Sequence, residues 1–355
     1  MGVVLAMAAA LWGVGWLMKA PVRARLVMLL LLYVAVLAVQ VTLPEGHPLR
    51  ENTGGSAAPW LLLGGAVALV LAYREALRRL RTRAVASETA RETDTTQKTG
   101  TFSAEELERY ARHITLREVG GTGQKKLKQA KVLVVGAGGL GSPVLLYLAA
   151  AGVGRIGVID HDEVDLTNLQ RQIIHTDQSQ GMPKVFSARE RMLALNPHVD
   201  VRPYHRKLTE EIAETLFADY DLIVDGTDAW SIRELINRAA VATGRPVVSG
   251  AISAWEGQVT IYDPSHGAPC MACVFPQAPA PGMAATCSET GVIGALPGVI
   301  GAMMASETVK TLTGAGDPLR GRMLIFDALY AETRTITLGR NADCAVCGSG
   351  TPGKA

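Results

Sequence analysis

The run Gly136-Ala137-Gly138-Gly139-Leu140-Gly141 has the spacing G-x-G-x-x-G, and an acid, Asp160, lies 24 residues after its first glycine. Glycines in such a turn let the backbone approach phosphate oxygens. A helix starting there directs its positive amino terminus at them, and the acid can bond a ribose hydroxyl. The implied chemistry is nucleotide binding; without a ligand the same pattern is a tight turn in an α/β fold. The other common phosphate loop, G-x-x-x-x-G-K-[ST], does not occur in the chain.

The second constellation is sulfur. Cys270-Met271-Ala272-Cys273 and Cys344-Ala345-Val346-Cys347 form two C-x-x-C pairs with 70 residues between them. Four thiolates so paired suit one tetrahedral zinc ion, which would clamp the carboxy-terminal tail to the domain. Two disulfides or a redox C-x-x-C are the alternatives. A reducing location disfavours the first, and the lack of a thioredoxin-like helix after either pair disfavours the second. The fifth cysteine, Cys287, lies in a Pro/Ala/Gly-rich stretch, 276–289. A solitary loop cysteine is either a nucleophile or an ordinary thiol.

Elements to position these groups are legible from residue 102 onward. Ser103 followed by Glu106 reads as a capping box opening a helix that runs through His113. A helical stretch at 123–130 precedes the apolar, β-branched strand 131–135, which reads as buried and parallel. The glycine turn, a helix over 142–151 and a strand over 155–159 complete a βαβ unit ending at Asp160. Further strands are read at 199–203, 222–224, 246–249, 257–262 and 323–326, with helices at 232–242 and 298–313. The expectation is one Rossmann-like mixed sheet with helices on both faces and antiparallel strands in its carboxy-terminal half.

The chain before residue 100 is different in texture. Residues 2–18, 26–43 and 57–73 carry no charge, each near the roughly 17-residue lower limit for a spanning helix. Lys19, Arg23 and Arg25 fall between the first two, and Arg74, Arg78, Arg79, Arg81 and Arg83 follow the third. The positive-inside rule then puts the amino terminus outside and everything after residue 73 in the cytoplasm. This divides the chain into a three-span all-α transmembrane anchor with an Arg-rich juxtamembrane stretch (1–83), a linker (84–100) and a globular domain (101–355). The alternative for the first span is a cleaved signal peptide. Residues 99–355 hold 24 basic and 27 acidic side chains, so no basic footprint for nucleic acid is expected.

From Arg109 to Cys347 the chain resembles the MoeB/ThiF/HesA adenylyltransferases, relatives of the ubiquitin-activating enzymes, and within them most resembles molybdopterin-synthase adenylyltransferase. The likeness rests on Arg109-Tyr110-x-Arg112-His113, the glycine turn, Asn168-Leu169-Gln170-Arg171-Gln172, Gly181-Met182-Pro183-Lys184, Gly226-Thr227-Asp228, Glu256-Gly257-Gln258 and both cysteine pairs. It implies ATP- and magnesium-dependent adenylation of the carboxy-terminal glycine of a small ubiquitin-like sulfur carrier ending in Gly-Gly, by a homodimer. By the same resemblance Asp160 holds the ribose, and Asn168, Arg171 and Lys184 contact phosphates. Asp228 holds magnesium, Arg112 reaches the partner subunit's site, and Cys287 matches a loop cysteine of the family. One departure stands out: the family has Thr-Asp-Asn where this chain has Thr227-Asp228-Ala229, which removes an amide beside the metal-binding acid.

The residue types agree with that chemistry. A carboxylate attacking the α-phosphorus of ATP is already ionised, so the barrier is anion meeting anion, and cations and positioning lower it. Three other readings stay open: a thiamine-pathway adenylyltransferase, a non-catalytic module docking such a carrier at the membrane, and a nucleotide-dependent oxidoreductase. The last lacks a recognisable substrate domain and hydride-handling residue.

Overall fold

The computed structural model describes residues 2–19, 21–67, 69–70, 72–74, 102–278 and 291–348. They fall in two compact units, Met1–Thr99 and Gly100–Ala355.

The first unit is helical: α1 (Gly2–Leu17), α2 (Val22–Thr42), the short α3 (Pro48–Asn52) and α4 (Ala58–Arg74). Among the described residues only α2 is long and apolar enough to cross a membrane. At 16 residues, α1 falls just short of the roughly 17 that a span needs. Val4, Val36 and Trp60 form a small buried cluster, and Tyr33 Oη donates to the Trp60 carbonyl at 2.7 Å. Arg23 and Arg25, expected between the first two apolar stretches, lie instead in the first turns of α2. Pro21 sets this earlier start as the extended residue before the helix. Arg25 then stacks over the Trp12 ring at 5.6 Å. The Arg-rich stretch after Arg74 and the linker lie outside the described residues.

The second unit opens as read. Ser103 and Glu106 form both bonds of the capping box at the start of α5 (Ala104–Arg109). The helix does not continue to His113: it breaks at Tyr110 and restarts as α6 (Ala111–Ile114). Tyr110 is buried there, its hydroxyl accepting from Asn196 Nδ2 at 2.8 Å. Helix α7 (Gly120–Gln129) leads into the sheet.

The sheet has eight strands: β1 (Lys131–Val135), β2 (Arg155–Asp160), β3 (Asp200–His205), β4 (Leu222–Asp225), β5 (Val247–Ile252), β6 (Glu256–Tyr262), β7 (Arg322–Asp327) and β8 (Glu332–Thr337). Their order is β3-β2-β1-β4-β5-β6-β7-β8. The first five are parallel and the remaining pairings antiparallel, as the sequence implied. Strand β8, missed in the sequence, has no buried face. Its residues Glu-Thr-Arg-Thr-Ile-Thr show no apolar alternation to read.

Period-two alternation loads both faces. Val132 and Val134 of β1 pack with α8 (Gly141–Ala151), α9 (Lys184–Leu195) and α12 (Ala295–Thr313). Leu133 and Val135 pack on the other side with α10 (Glu210–Ala218) and α11 (Trp230–Thr243). Since both faces are covered, the central strands carry no polar alternation.

The order reverses at β1, which lies between β2 and β4. Register puts Val135 beside Ile159 and beside Asp225. Gly136, Asp160 and Gly226 therefore leave the sheet side by side at its carboxyl edge. A reversal point of this kind is where open α/β sheets bind ligands.

Candidate active site

The glycine turn is held between its neighbours. Gly136 N–H donates to the Ile159 carbonyl and Gly226 N–H to the Val135 carbonyl, both at 2.9 Å. Gly136 has φ +93°, and a Cβ on Gly141 would lie 1.9 Å from the Gly136 carbonyl oxygen. These two glycines are required by the turn itself. Ala137 N–H donates to Asp160 Oδ2 and Asp162 N–H to Asp160 Oδ1, each at 2.8 Å. The Asp160 carboxylate is thus fixed in place, with lone pairs left for ribose hydroxyls.

Around this turn lies a cleft of about 910 Å³. Asp160, Arg171, Lys184 and Asp228 all line it, although the first and last are 68 positions apart in sequence. Lys184, the first residue of α9, is buried, and its Nζ donates to Asp162 Oδ2 at 2.9 Å. Arg171 donates to Asn168 Oδ1 at 2.7 Å. Asn168 sits in a short 3-10 turn and does not itself line the cleft, so here it orients a cation. Asp228 stands exposed in the loop between β4 and α11.

That loop is clamped from below by residues the sequence reading did not single out. Buried Asp225 accepts from Thr227 N, Thr227 Oγ1 and Ser249 Oγ. Arg233 donates to the Thr227 carbonyl and, at 2.7 Å, to that of Gly250. Beyond Arg233 the cleft continues along Gly250, Ala251, Ile252 and Gln258, at the ends of β5 and β6. Asp162 and His175 were also missed. His175 is buried, with Nε2 2.9 Å from the Ala137 carbonyl and Nδ1 2.9 Å from Ser187 Oγ. A carbonyl only accepts, so Nε2 carries the proton.

Arg112 is exposed on α6 and does not line the cleft of its own chain. Cys287 lies outside the described residues.

The four remaining cysteines gather in one place. Sγ separations are 3.8 Å for Cys270–Cys273, 3.6 Å for Cys270–Cys344 and 3.4 Å for Cys273–Cys347. A disulfide needs about 2.05 Å, so these are free thiols. Tetrahedral zinc with 2.3 Å bonds separates its sulfurs by about 3.8 Å, and the cluster fits that edge. Burial pushes the Cys270 and Cys347 thiols up; a dication reverses that preference by binding thiolates. Asn237 Nδ2 lies 3.8 Å from Cys270 Sγ, and Arg340 donates to the Cys347 carbonyl at 2.9 Å.

The pattern that defines the ThiF family matches residues 110–346. The chain is 49% identical over 251 residues to the sulfur carrier protein adenylyltransferase of Thermus thermophilus, covering 70% of this chain and 93% of that one. It is 48% identical over 243 residues to the adenylyltransferase and sulfurtransferase MOCS3 of Culex quinquefasciatus, covering 68% of this chain and 55% of the relative. The chain thus spans about half the length of the MOCS3 relatives it matches. Among solved structures, E. coli MccB superposes with a TM-score of 0.61 at 22% identity, over 72% of this chain and 76% of MccB. That likeness is one of fold.

Proposed function

The chain belongs to the ThiF family, and from that premise we propose that it uses ATP to adenylate the carboxy-terminal glycine of a small ubiquitin-like sulfur carrier. The carrier is in the first instance the small subunit of molybdopterin synthase. The observation that carries this reading is the convergence of Asp160, Arg171, Lys184 and Asp228 on one cleft at the switch point of the sheet.

Each residue has a role in that reaction. The turn and Asp160 hold the nucleotide by phosphate and ribose. The carrier's terminal carboxylate, ionised at neutral pH, attacks the α-phosphorus. A new P–O bond forms, the bond to the bridging oxygen breaks, and pyrophosphate leaves with the electron pair. No proton has to move. Arg171 and Lys184 offset the charge of two anions brought together. Asp228 presents an exposed carboxylate with no hydrogen-bond or ion-pair partner among the described residues, so its oxygens are open to magnesium. Bound magnesium would add charge neutralisation at the phosphates. The arm of the cleft along Gly250–Ile252 suits a side-chain-poor glycine tail in extended form.

The cysteine cluster holds a structural zinc that ties the tail at Cys344 and Cys347 to the helix at Met271–Val274. The active species is a homodimer in which Arg112, remote from the cleft of its own chain, supplies a guanidinium to the partner's nucleotide. Co-expressed Arg112→Ala and Asp228→Ala chains should then regain activity in mixed dimers, because one site keeps both groups. Mixed dimers as inactive as either parent would overturn the trans assignment.

The amino-terminal unit anchors the protein in the cytoplasmic membrane, with the amino terminus outside and the catalytic unit in the cytoplasm. In support, α2 turns Leu26, Leu30, Leu31 and Val34 outward, each more than half exposed. Incubation with ATP, magnesium and a Gly-Gly carrier should yield the carrier acyl-adenylate by intact-mass spectrometry. A carrier of unchanged mass counts against the proposal.

A further inference from the structure

Asp228 makes no hydrogen bond of its own among the described residues, yet a metal ligand has to stand in a fixed place. Its placement comes through its neighbour, Thr227, which is held at three points. The Thr227 N–H and hydroxyl donate to Asp225 Oδ1 at 3.1 and 2.7 Å, and its carbonyl accepts from Arg233 Nη2. The Thr227 carbonyl shares one peptide plane with the nitrogen and Cα of Asp228. Fixing the direction of that carbonyl therefore fixes where Asp228 leaves the chain. On the other side, the Ala229 carbonyl accepts from the N–H groups of Ile232 and Arg233 at 3.2 and 3.1 Å as α11 begins.

The same nitrogen, Arg233 Nη2, also donates to the Gly250 carbonyl at 2.7 Å. Strand β4 pairs with β5 as far as Asp225 and Ser249 and then ends, so it offers Gly250 no partner, and the guanidinium takes its place. One side chain thereby joins the loop that carries Asp228 to the strand that forms the arm of the cleft. The Arg233 side chain is 14% exposed, and the carboxylate of buried Asp225 lies 4.0 Å from Nη1 as its counter-charge. A buried cation held by acceptors and an opposite charge is strongly confined, and a planar guanidinium loses little freedom in binding them.

We propose that Arg233 is a positioning residue, which sets the carboxylate of Asp228 at a fixed distance from the β5 strand along which the carrier tail lies. This rests on the reading of Asp228 as a magnesium ligand. Arg233 acts through Thr227. The glycine turn, Asp160, Arg171 and Lys184 hold the nucleotide by other contacts, so disturbing the clamp separates metal-assisted from metal-free binding.

The test measures equilibrium binding of ATP to the full chain in detergent, without carrier, once with magnesium and once with a chelator. The quantity read is the factor by which magnesium tightens binding, alongside the melting temperature of each variant. Arg233→Lys keeps the charge beside Asp225, but a shorter side chain ending in an ammonium cannot hold both carbonyls in place. Thr227→Val removes the hydroxyl bond to Asp225 and leaves Arg233 intact. Arg233→Lys should cut the magnesium factor about tenfold and Thr227→Val by less, because a displaced group loses much of its effect. Metal-free ATP affinity should be unchanged in both. Asp228→Ala, which removes the ligand itself, should abolish the factor. A lowered melting temperature with the magnesium factor intact would make Arg233 a structural residue and overturn the inference. So would a loss of affinity that is equal with and without magnesium. If Asp228→Ala keeps the full factor, the magnesium reading of that residue fails, and this inference falls with it.

Discussion

Lys184 and Asp162 are joined twice: the ammonium donates to the carboxylate at 2.9 Å, and the Lys184 N–H donates to the Asp162 carbonyl, also at 2.9 Å. Burial alone would push the Asp162 carboxyl up, but the hydrogen bond and charge of Lys184 outweigh it and hold the group below the usual carboxylate range. The pair aims a cation whose side chain is 6% exposed. Asp162→Asn keeps the shape and removes the charge that fixes the ammonium. Steady-state kinetics should show kcat/KM for ATP falling about tenfold or more, since small misplacements of a catalytic cation are costly. Activity equal to that of the unaltered protein would mean that Lys184 needs no such support.

His175 supports a pH prediction. Burial lowers its pKa below the ordinary 6.5, against the Ala137 backbone bond, which raises it. Unfolded chains take up this proton near pH 6.5, whereas the folded protein does so only at lower pH. Between those values the unfolded state binds more protons, so stability falls as pH drops below about 6.5 and is level above it. Melting temperatures from pH 7.5 down to 5 should show this decline, and His175→Gln should flatten part of it.

Ala229 gains a different meaning from the structure. It is the residue preceding α11, with φ −86° and ψ 123° and no side-chain cap. The family asparagine at this place is a preferred helix N-cap type. Ala229→Asn should therefore stabilise the protein by about 1 kcal/mol, read by chemical denaturation. A change of kcat beyond about tenfold would instead assign that amide to catalysis.

Metal analysis should find about one zinc per chain, because one tetrahedral site uses four thiolates. Cys270→Ser should lose the metal and lower the melting temperature more than it slows adenylation. Four thiols titrating in the native protein, in addition to Cys287, would contradict this.

The parts of the site legible in the sequence are those encoded by local spacing. The glycine turn requires its neighbours in sequence, and C-x-x-C pairs are ligand geometry written as spacing. Strands β1 and β2 are apolar runs bounded by turns, and so were readable. Asp162, His175, Asp225 and Arg233 were not, because their roles arise from contacts between segments that only the folded sheet brings together. His175 and Ala137, for example, are 38 residues apart.

The central claim is that this cleft joins ATP to a carrier's terminal carboxylate, and ATP–pyrophosphate exchange measures that step directly. With the full chain, magnesium and a carrier ending in Gly-Gly, label should pass from pyrophosphate into ATP. Exchange should vanish when the carrier is omitted or its last glycine deleted, and in Asp228→Ala. Exchange that persists without carrier, or none with any Gly-Gly carrier from a protein that binds ATP, would contradict the account.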